Sequence, residues 1–439
     1  MPDAVIVSTA RSPVGRAVKG SLAAMRPDDL AAAMVSAALD KVPALDPAHI
    51  DDLLLGCGCP GGEQGHNMAR AVSVLLLIRP KVGGHRALRN RCHASRIAVT
   101  VVGLVTNGTV GLDTVPGATV TRYCASSLQT LRMACHAVKA GEGSAFVAAG
   151  VETVSRYDKG NSDSLPDTMN PKFDYARDRT ARAADGGVEW RDPRETGELP
   201  DIYIAMGQTA ENVAQRYGVS REDQDEFACR SQHRAQEAIA SGFWEREITP
   251  VRTPDGELVS RDDGPRPNVT LEGLAGLKPV FRPDGTVTAG NCCPLNDGAA
   301  ALVVMSGTRA RELGLAPLAR VLATGVSGLS PEIMGAGPVQ ASANALAHAG
   351  MTMAQIDLVE INEAFAAQVL ASQRELGIDL ERLNVNGGAI AVGHPFGMTG
   401  ARLVTTMINS LRWHDKQTGL VTMCVGGGQG MAVVLERLS

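Results

Sequence analysis

Short apolar runs alternate with amphipathic stretches along the whole chain. Ala4–Ser8 is an apolar run of strand length. Asp28–Lys41 carries apolar residues at helical spacing, and the pattern predicts a helix there. Asp52–Cys57 predicts the next strand and Asn67–Leu76 the next helix. Strands and helices in alternation point to an α/β fold whose sheets are covered on both faces.

The second half repeats this series. In the first half a helix leads into His49-Ile50-Asp51-Asp52-Leu53 and a strand ending near Gly56. In the second the helix Val339–Ala349 leads into Gln355-Ile356-Asp357-Leu358-Val359 and a strand ending near Asn362. Helices follow at Asn67–Leu76 and Ala364–Leu376. A strand and a long helix come next: Ala118–Thr121 with Ser126–Ala140, then Arg382–Val385 with Gly397–Trp413. Each unit closes on an apolar strand, Ala145–Ala149 and Leu420–Cys424. This order predicts a duplicated α/β unit, two similar sheets packed through shared helices. Between the halves, Arg156–Pro200 is polar and rich in Gly and Pro, which reads as long excursions. Ser220–Gly242 predicts a helix with Ser220 as its N-cap.

Composition narrows the function. The chain has 439 residues, of which 44% are hydrophobic, enough to bury a sizeable core. Net charge is −5 and aromatics are 3%, which argues against a nucleic-acid binder. The longest apolar run, Ala71–Ile78, is far short of the ~20 residues of a membrane span. No secretory signal precedes the first strand, and the nine cysteines are scattered, so a cytoplasmic location is expected. No cysteine pair has metal-site spacing, and no metal is expected.

The candidate chemistry lies at strand ends. Gly56-Cys57-Gly58-Cys59-Pro60-Gly61 follows a strand, but Pro60 delays the helix and no acidic residue follows at dinucleotide spacing. It reads as a flexible glycine turn. Cys124 sits where Ala125-Ser126-Ser127 opens a helix, a place where the helix dipole favours thiolate. A buried structural cysteine fits that position equally, and Ser126 and Ser127 are N-cap candidates. His394 lies in the glycine-rich stretch Gly387–Pro395, at the place in the second repeat that matches Cys124 in the first. Cys424 ends a strand before Gly426-Gly427-Gly428, and Asn362-Glu363-Ala364-Phe365 ends another. The carboxyl edge of such sheets hosts the ligand crevice.

Together these segments resemble the thiolases, acyl-CoA:acetyl-CoA C-acyltransferases, over nearly the whole chain. The matching pieces are Val5–Gly15, Thr121–Gln129, Thr288–Ala300, Asn362–Ala366, Asn386–Gly400 and Cys424–Gly430, in family order. The resemblance implies a thiolase-like duplicated α/β core, two similar mixed sheets sandwiched with helices, plus an inserted loop domain. It implies that Cys124 takes the acyl group as a thioester. His394 would activate Cys124 and, with a water held by Asn362, stabilise the thioester oxyanion. Cys424 would move the α-carbon proton, and the Cys124 and Gly426 N–H groups would form a second oxyanion hole. Cys293, Met334 and Phe365 would line the substrate and coenzyme A site. Coenzyme A is then a substrate and no other cofactor is implied. The family analogy adds a homodimer or homotetramer as the expected assembly.

The chain departs from the family in two places. Val154-Ser155-Arg156-Tyr157-Asp158-Lys159 replaces the Met-Ser-Met-Ala-Pro-His stretch of short-chain acetoacetyl thiolases, and Cys293 stands near where those enzymes carry a serine. Both leave room for longer or bulkier β-ketoacyl groups, as in fatty-acid or sterol side-chain β-oxidation. Residues 77–111 form an atypical insertion, with six basic residues and no acidic one from Leu76 to Gly111. It is expected to be an excursion outside the core. The expected division is an N-terminal half, 1–306, and a C-terminal half, 314–439. The first comprises core segments 1–155 and 280–306, the insertion 77–111 and a loop domain 156–279. The rival readings are a ketoacyl synthase-like condensing enzyme and a non-catalytic scaffold of the same fold.

Overall fold

Twelve strands organise the described residues: β1 (Ala4–Arg11), β2 (Gly15–Arg16), β3 (Asp52–Cys57), β4 (Gly117–Val120), β5 (Ala145–Thr153), β6 (Val251–Arg252), β7 (Leu258–Val259), β8 (Asn296–Ser306), β9 (Ala319–Gly328), β10 (Leu358–Ile361), β11 (Thr418–Val425) and β12 (Gln429–Arg437). They come from a computed structural model that describes residues 2–76, 112–160, 163, 167–187 and 189–439. The basic stretch 77–111 lies outside the described residues.

The main ladder runs β10-β11-β12-β9-β1-β8-β5-β3-β4, with β2 paired to β8. It is two similar mixed half-sheets joined edge to edge. In each half two adjacent strands run parallel, β3 with β5 and β10 with β11, and antiparallel strands follow toward the centre. The halves meet at β1 and β9, through Val5↔Arg320 and Ile6↔Ala319. The duplication is visible in single hydrogen bonds. Asp51 Oδ2 accepts from the Ser144 and Ala145 N–H groups at 2.6 and 2.9 Å and starts β5. Asp357 Oδ2 accepts from Gln417 and Thr418 N–H at 2.9 and 2.8 Å and starts β11.

Alternation along the strands sorts residues into layers. In β1, Val5 and Val7 face one core with the Pro27–Asp40 helix, while Ala4 and Ile6 face another. In β8, Ala299, Ala301, Val303 and Met305 go to the first core and Ala300, Leu302 and Val304 to the second. The second core is the central one. There the Ser126–Ala140 and Phe396–Trp413 helices pack against strands of both halves. A third core covers the outer face of the second half with the Gly337–Ala349 and Ala366–Leu376 helices. Both long central helices open toward the same end of the sheets.

Two local expectations are revised. Arg382–Val385 does not form a strand. It is a 3-10 turn, Leu380–Arg382, followed by a single parallel bridge between Leu383 and Val359. The reason is Asn384, which turns to φ 45° and substitutes its side chain for the missing strand backbone. Its Oδ1 accepts from Ile361 N–H and its Nδ2 donates to Ile361 O, both at 2.9 Å. Also, the Gly387–Pro395 stretch is not all loop, because Ala389–Val392 forms one helical turn.

The excursion between the halves carries helices, among them Met206–Tyr217 and Arg221–Ala240, and the β6–β7 hairpin. Ser220 caps the second helix as expected: its Oγ accepts from Asp223 N–H at 3.0 Å, and Asp223 Oδ2 accepts from Ser220 N–H at 3.3 Å. Fully buried Arg11 docks the excursion onto β1. It donates to Glu247 at 2.9 Å and to both oxygens of Asp262 at 2.5 and 3.0 Å. Removing either partner would leave a buried charge uncompensated.

Candidate active site

β4 delivers the chain to a tight turn. Thr121 Oγ1 donates to Gly58 O at 3.0 Å, which anchors the strand end. Tyr123 then adopts φ 43°, a left-handed conformation uncommon for a bulky residue. One 3-10 turn, Tyr123–Ala125, carries Cys124, and the long helix begins at Ser126. Neither serine caps that helix; the N-cap residue is Ala125, with no side-chain bond. Ser126 instead braces the turn. Its Oγ accepts from Arg122 N–H at 2.9 Å and donates to Tyr123 O at 2.6 Å.

The Cys124 residue is partly exposed, but burial of its sulfur pushes the thiol up to about 12. The N–H groups of Gly426 and of Cys124 itself pull against this, while Glu152 adds to the rise. The helix terminus therefore does not make a resting thiolate. A helix end contributes about 0.3–1 kcal/mol, and desolvation of an unpaired thiolate outweighs that. A base is needed.

His394 has the form of one. It is buried, and its backbone N–H is held by Asn296 Oδ1 at 2.8 Å. Nδ1 lies 2.7 Å from Thr399 Oγ1, and that hydroxyl also contacts Pro395 O at 2.7 Å. A hydroxyl has one proton. Donated to the carbonyl, it leaves Oγ1 to accept, so Nδ1 carries the imidazole proton. On the other side the Asn362 amide nitrogen lies 3.2 Å from Nε2 and donates to its lone pair, in keeping with a proton on Nδ1. Burial, and then the nearby Arg402 charge, lower His394 to about 3. The imidazole rests neutral.

The remaining expected residues gather around Cys424. Cys424 is fully buried at the end of β11, and its thiol is pushed well up by burial and then by Cys124. Asn362 N–H donates to Thr422 O at 3.0 Å, which sets the asparagine beside β11. Its Oδ1 is buried and has no hydrogen-bond partner among the described residues. Met334 and Phe365 share one apolar cluster with Cys424, and Cys293 packs on its rim. Cys293 N–H donates to Ala364 O at 3.1 Å, so the Asn291–Cys293 loop is zipped onto the Asn362–Phe365 segment. Burial raises the Cys293 thiol, with Cys292, Cys124 and Cys424 as further causes. Three thiols thus share one region, while His394 and Asn362 form a hydrogen-bonded pair beside it.

Other contributors escape sequence reasoning. Met206 and Phe281 pack on the Cys424 cluster, and Phe281 meets Phe365 edge to face at 6.1 Å. No methionine lid follows β5, yet a methionine from farther along the excursion takes a place over the cluster. Nothing periodic marks it, since Met206 merely opens a helix after a polar stretch. Thr399 and Asn296 fall inside segments that the sequence reading singled out, but their roles depend on distances. Among the described residues no group of three His, Cys, Asp or Glu side chains is arranged to hold a metal, and no helix is long and apolar enough to cross a membrane.

Comparison with known proteins identifies the family. The thiolase N-terminal domain matches residues 4–105 and 104–308, and the thiolase C-terminal domain matches 315–437. A 3-ketoacyl-CoA thiolase of Bacillus subtilis is 41% identical, with 99% of this chain and all of the relative covered. A beta-ketoadipyl-CoA thiolase of Pseudomonas aeruginosa is 42% identical, with 99% of each chain covered. The crystal structure of the Bacillus anthracis acetyl-CoA acetyltransferase superposes with a TM-score of 0.79 at 35% identity, covering 100% of this chain and 99% of that one. With its two matching domains in order, its duplicated core and relatives along its full length, the chain belongs to the thiolase family of acyltransferases.

Proposed function

We propose that the protein cleaves 3-ketoacyl-CoA thiolytically, and runs the reverse Claisen condensation, by ping-pong acyl transfer through Cys124. The observation that carries this is the pairing of two unlike thiols in one pocket. Cys124 receives two backbone N–H groups, from Gly426 and its own residue, while Cys424 is wholly buried among apolar side chains. In the first half-reaction His394 Nε2 takes the Cys124 proton and the sulfur attacks the 3-keto carbon. The C2–C3 bond then breaks, and Cys424 gives its proton to C2 of the departing acetyl-CoA. In the second, the Cys424 thiolate takes the proton of an incoming coenzyme A thiol, whose sulfur displaces the acyl group from Cys124, and the departing Cys124 thiolate takes back the proton held on His394 Nε2. The protonated Nε2–H, with a water on Asn362 Oδ1, faces one oxyanion, and the Cys124 and Gly426 N–H pair faces the other.

A groove of about 240 Å³ leads away from Cys292 past Ala289 and Gly290 to Arg16 and Arg266. Partial burial and the neighbouring Arg16 lower Arg266. Two adjacent guanidiniums suit the phosphates of coenzyme A. The apolar lining of Met206, Phe281, Met334 and Phe365 favours an alkyl chain, as in fatty-acid or sterol side-chain β-oxidation. A second reading, a 3-oxodicarboxylyl-CoA such as beta-ketoadipyl-CoA, is favoured by the names of several relatives at about 40% identity. The condensing-enzyme alternative, whose class resembles a Cys-His-His site, is disfavoured by Cys424 together with the Asn362 motif. Assembly as a homodimer or homotetramer rests on the family analogy. A cytoplasmic location is supported by eight free cysteines among the described residues.

The test is a series of 3-ketoacyl-CoA substrates of graded length, branching and terminal charge, with thiolysis followed by absorbance. A preference for neutral chains supports the β-oxidation reading, and a preference for a terminal carboxylate replaces it with the second. Folded protein with no thiolysis across the series would leave the scaffold reading.

A further inference from the structure

The glycine turn after β3 and the buried carboxylate of Glu152 on β5 take no part in the chemistry above, yet they meet directly behind it. Glu152 is fully buried. Its Oε2 accepts from Gly58 N–H at 2.7 Å and from Gly397 N–H at 2.8 Å. Its Oε1 accepts from Gln64 Nε2 at 2.6 Å, Tyr157 Oη at 2.9 Å and, more distantly, Cys59 N–H at 3.4 Å. The Gln64 amide is oriented for this, since its Oε1 already takes Thr153 N–H at 2.7 Å. Burial raises the Glu152 carboxyl, and against it the backbone N–H and amide NH2 groups, which cannot accept, favour the ionised form.

The two N–H groups on Oε2 come from different halves of the molecule. Gly58 belongs to the turn that anchors the strand leading to Cys124 through Thr121. Gly397 lies three residues after His394, at the start of the central helix. Three backbones converge there. A Cβ on Gly397 would lie 2.4 Å from Val151 O and 2.8 Å from Cys57 Cα, and one on Gly150 would lie 2.2 Å from Gly397 O. Gly58 in the Gly56–Gly61 turn likewise serves close approach of the second half, since its Cβ would meet Phe396 Cβ and Gly397 N.

We propose that Glu152 is a positioning residue, a carboxylate clamp that bridges Gly58 and Gly397 and so sets the His394 segment against the Cys124 turn. The proposal rests on the acyl-transfer reading of those two residues. The clamp brings a cost. Burial is the main reason the Cys124 thiol is raised, and the Glu152 charge adds to it. The groups facing Glu152 are Cys57, Cys59 and Tyr157 beside it. Those facing Cys124 are Glu152, Cys293, Cys424 and Tyr123.

This predicts two effects of opposite sign for Glu152→Gln. The amide offers one oxygen to a site built of donors, so the seam opens and kcat falls about 10- to 100-fold, with KM for the acyl-CoA changed by less than about threefold. Removal of the charge makes Cys124 more acidic, so iodoacetamide labels it faster at pH 8, read by peptide mass spectrometry. An opened seam that only exposed the thiol would also speed labelling, so a variant that displaces the clamp but keeps the charge must separate the two causes. Gly58→Ala is the second variant and covers misfolding of the first, monitored by circular dichroism. Its Cβ would lie 2.6 Å from Glu152 Oε2 and 2.9 Å from Phe396 Cβ, which displaces the clamp but keeps the charge. It should lower kcat without faster labelling. Wild-type turnover with unchanged labelling in folded Glu152→Gln, or wild-type kcat in folded Gly58→Ala, overturns the proposal. Failure of the wild type itself to cleave any 3-ketoacyl-CoA strikes the acyl-transfer reading instead, since the labelling comparison does not depend on turnover.

Discussion

Thr399→Val tests whether the state of His394 is set by one hydroxyl. Valine keeps the volume of threonine and stays on the same helix, so packing is nearly unchanged. Only hydrogen bonds change. Pro395 O retains the Met398 and Thr399 N–H groups at 3.1 and 3.0 Å, so it is not orphaned. His394 Nδ1–H loses its only acceptor among the described residues, at 2.7 Å, in a buried setting. An unmet buried donor costs about 1–3 kcal/mol, and that is the expected loss of stability. The proton is also no longer held on Nδ1. If the lost bond favours that tautomer by about 1.4 kcal/mol, the base-competent form drops about tenfold. The expected result is kcat down about tenfold, KM little changed, and a lower urea midpoint. Thr399→Ser keeps the hydroxyl and should restore most of both. A valine variant with wild-type kcat and midpoint would refute the assignment of the Nδ1 proton and the role given to Nε2.

Three variants of the site follow from the same geometry. Cys124→Ser should gain no acyl mass on incubation with acyl-CoA, because a hydroxyl is harder still to ionise in this pocket than the thiol; an acyl group found on the substituted serine would remove Cys124 from its role. Cys424→Ala should still be acylated at Cys124 but fail to exchange deuterium at the α-carbon of acetyl-CoA; retained exchange would move the acid/base elsewhere. His394→Asn probes the pH dependence of stability. His394 is held at about 3 when folded, against 6.5 for an ordinary histidine. Between those values the unfolded chain binds a proton that the folded chain refuses. The wild-type contribution is therefore complete above pH 6.5 and lost as pH falls toward 3, at up to about 1.4 kcal/mol per unit. Urea midpoints from about pH 7 to 5 should fall more steeply for wild type than for the variant, and equal slopes would contradict a neutral buried imidazole.

The repeated architecture was legible because apolar periodicity and turn residues recur in the same order in both halves. The candidate site was legible as motifs: Cys124, Asn362 and Cys424 stand at strand ends or the turns beyond them, and His394 lies just before the helix that begins at Phe396. What escaped depends on contacts between distant segments. Asn384 hides a missing strand, because a side-chain amide can imitate a peptide group and no pattern of apolar residues records it. Met206 reaches the Cys424 cluster across an excursion whose path the sequence does not give. The state of Cys124 departs from the local expectation for a physical reason. Position at a helix terminus is readable locally, whereas burial of the sulfur and the charge of Glu152 are tertiary.

Duplication also explains why the two halves do different work. Asp51 and Asp357 make the same bonds, and the strands that follow pair in the same register, Asp52↔Phe146 and Leu358↔Gly419. Counting from those anchors, Gly56 matches Asn362, Cys57 matches Glu363, and Val151 matches Cys424. The second half carries the candidate site residues Asn362 and Cys424 at the positions where the first has a glycine and a valine. Packing accounts for the glycine. A Cβ on Gly56 would lie 2.4 Å from Ser126 C and from Ser127 N, backbone atoms that cannot swing aside. The first half thus gives up a side chain so that the helix carrying Cys124 can settle on its strand. Gly56 is not among the positive-φ glycines, so alanine is barred there by contact alone. Gly56→Ala should push that helix outward, at an overpacking cost of about 1–3 kcal/mol. The displacement carries Cys124 away from the Gly426 N–H, and a shift near 1 Å is worth about 100-fold in rate. Acylation of Cys124, timed by mass spectrometry, should slow accordingly while the urea midpoint falls. Rapid acylation at wild-type stability would show that the glycine is not what lets the nucleophile reach its donors.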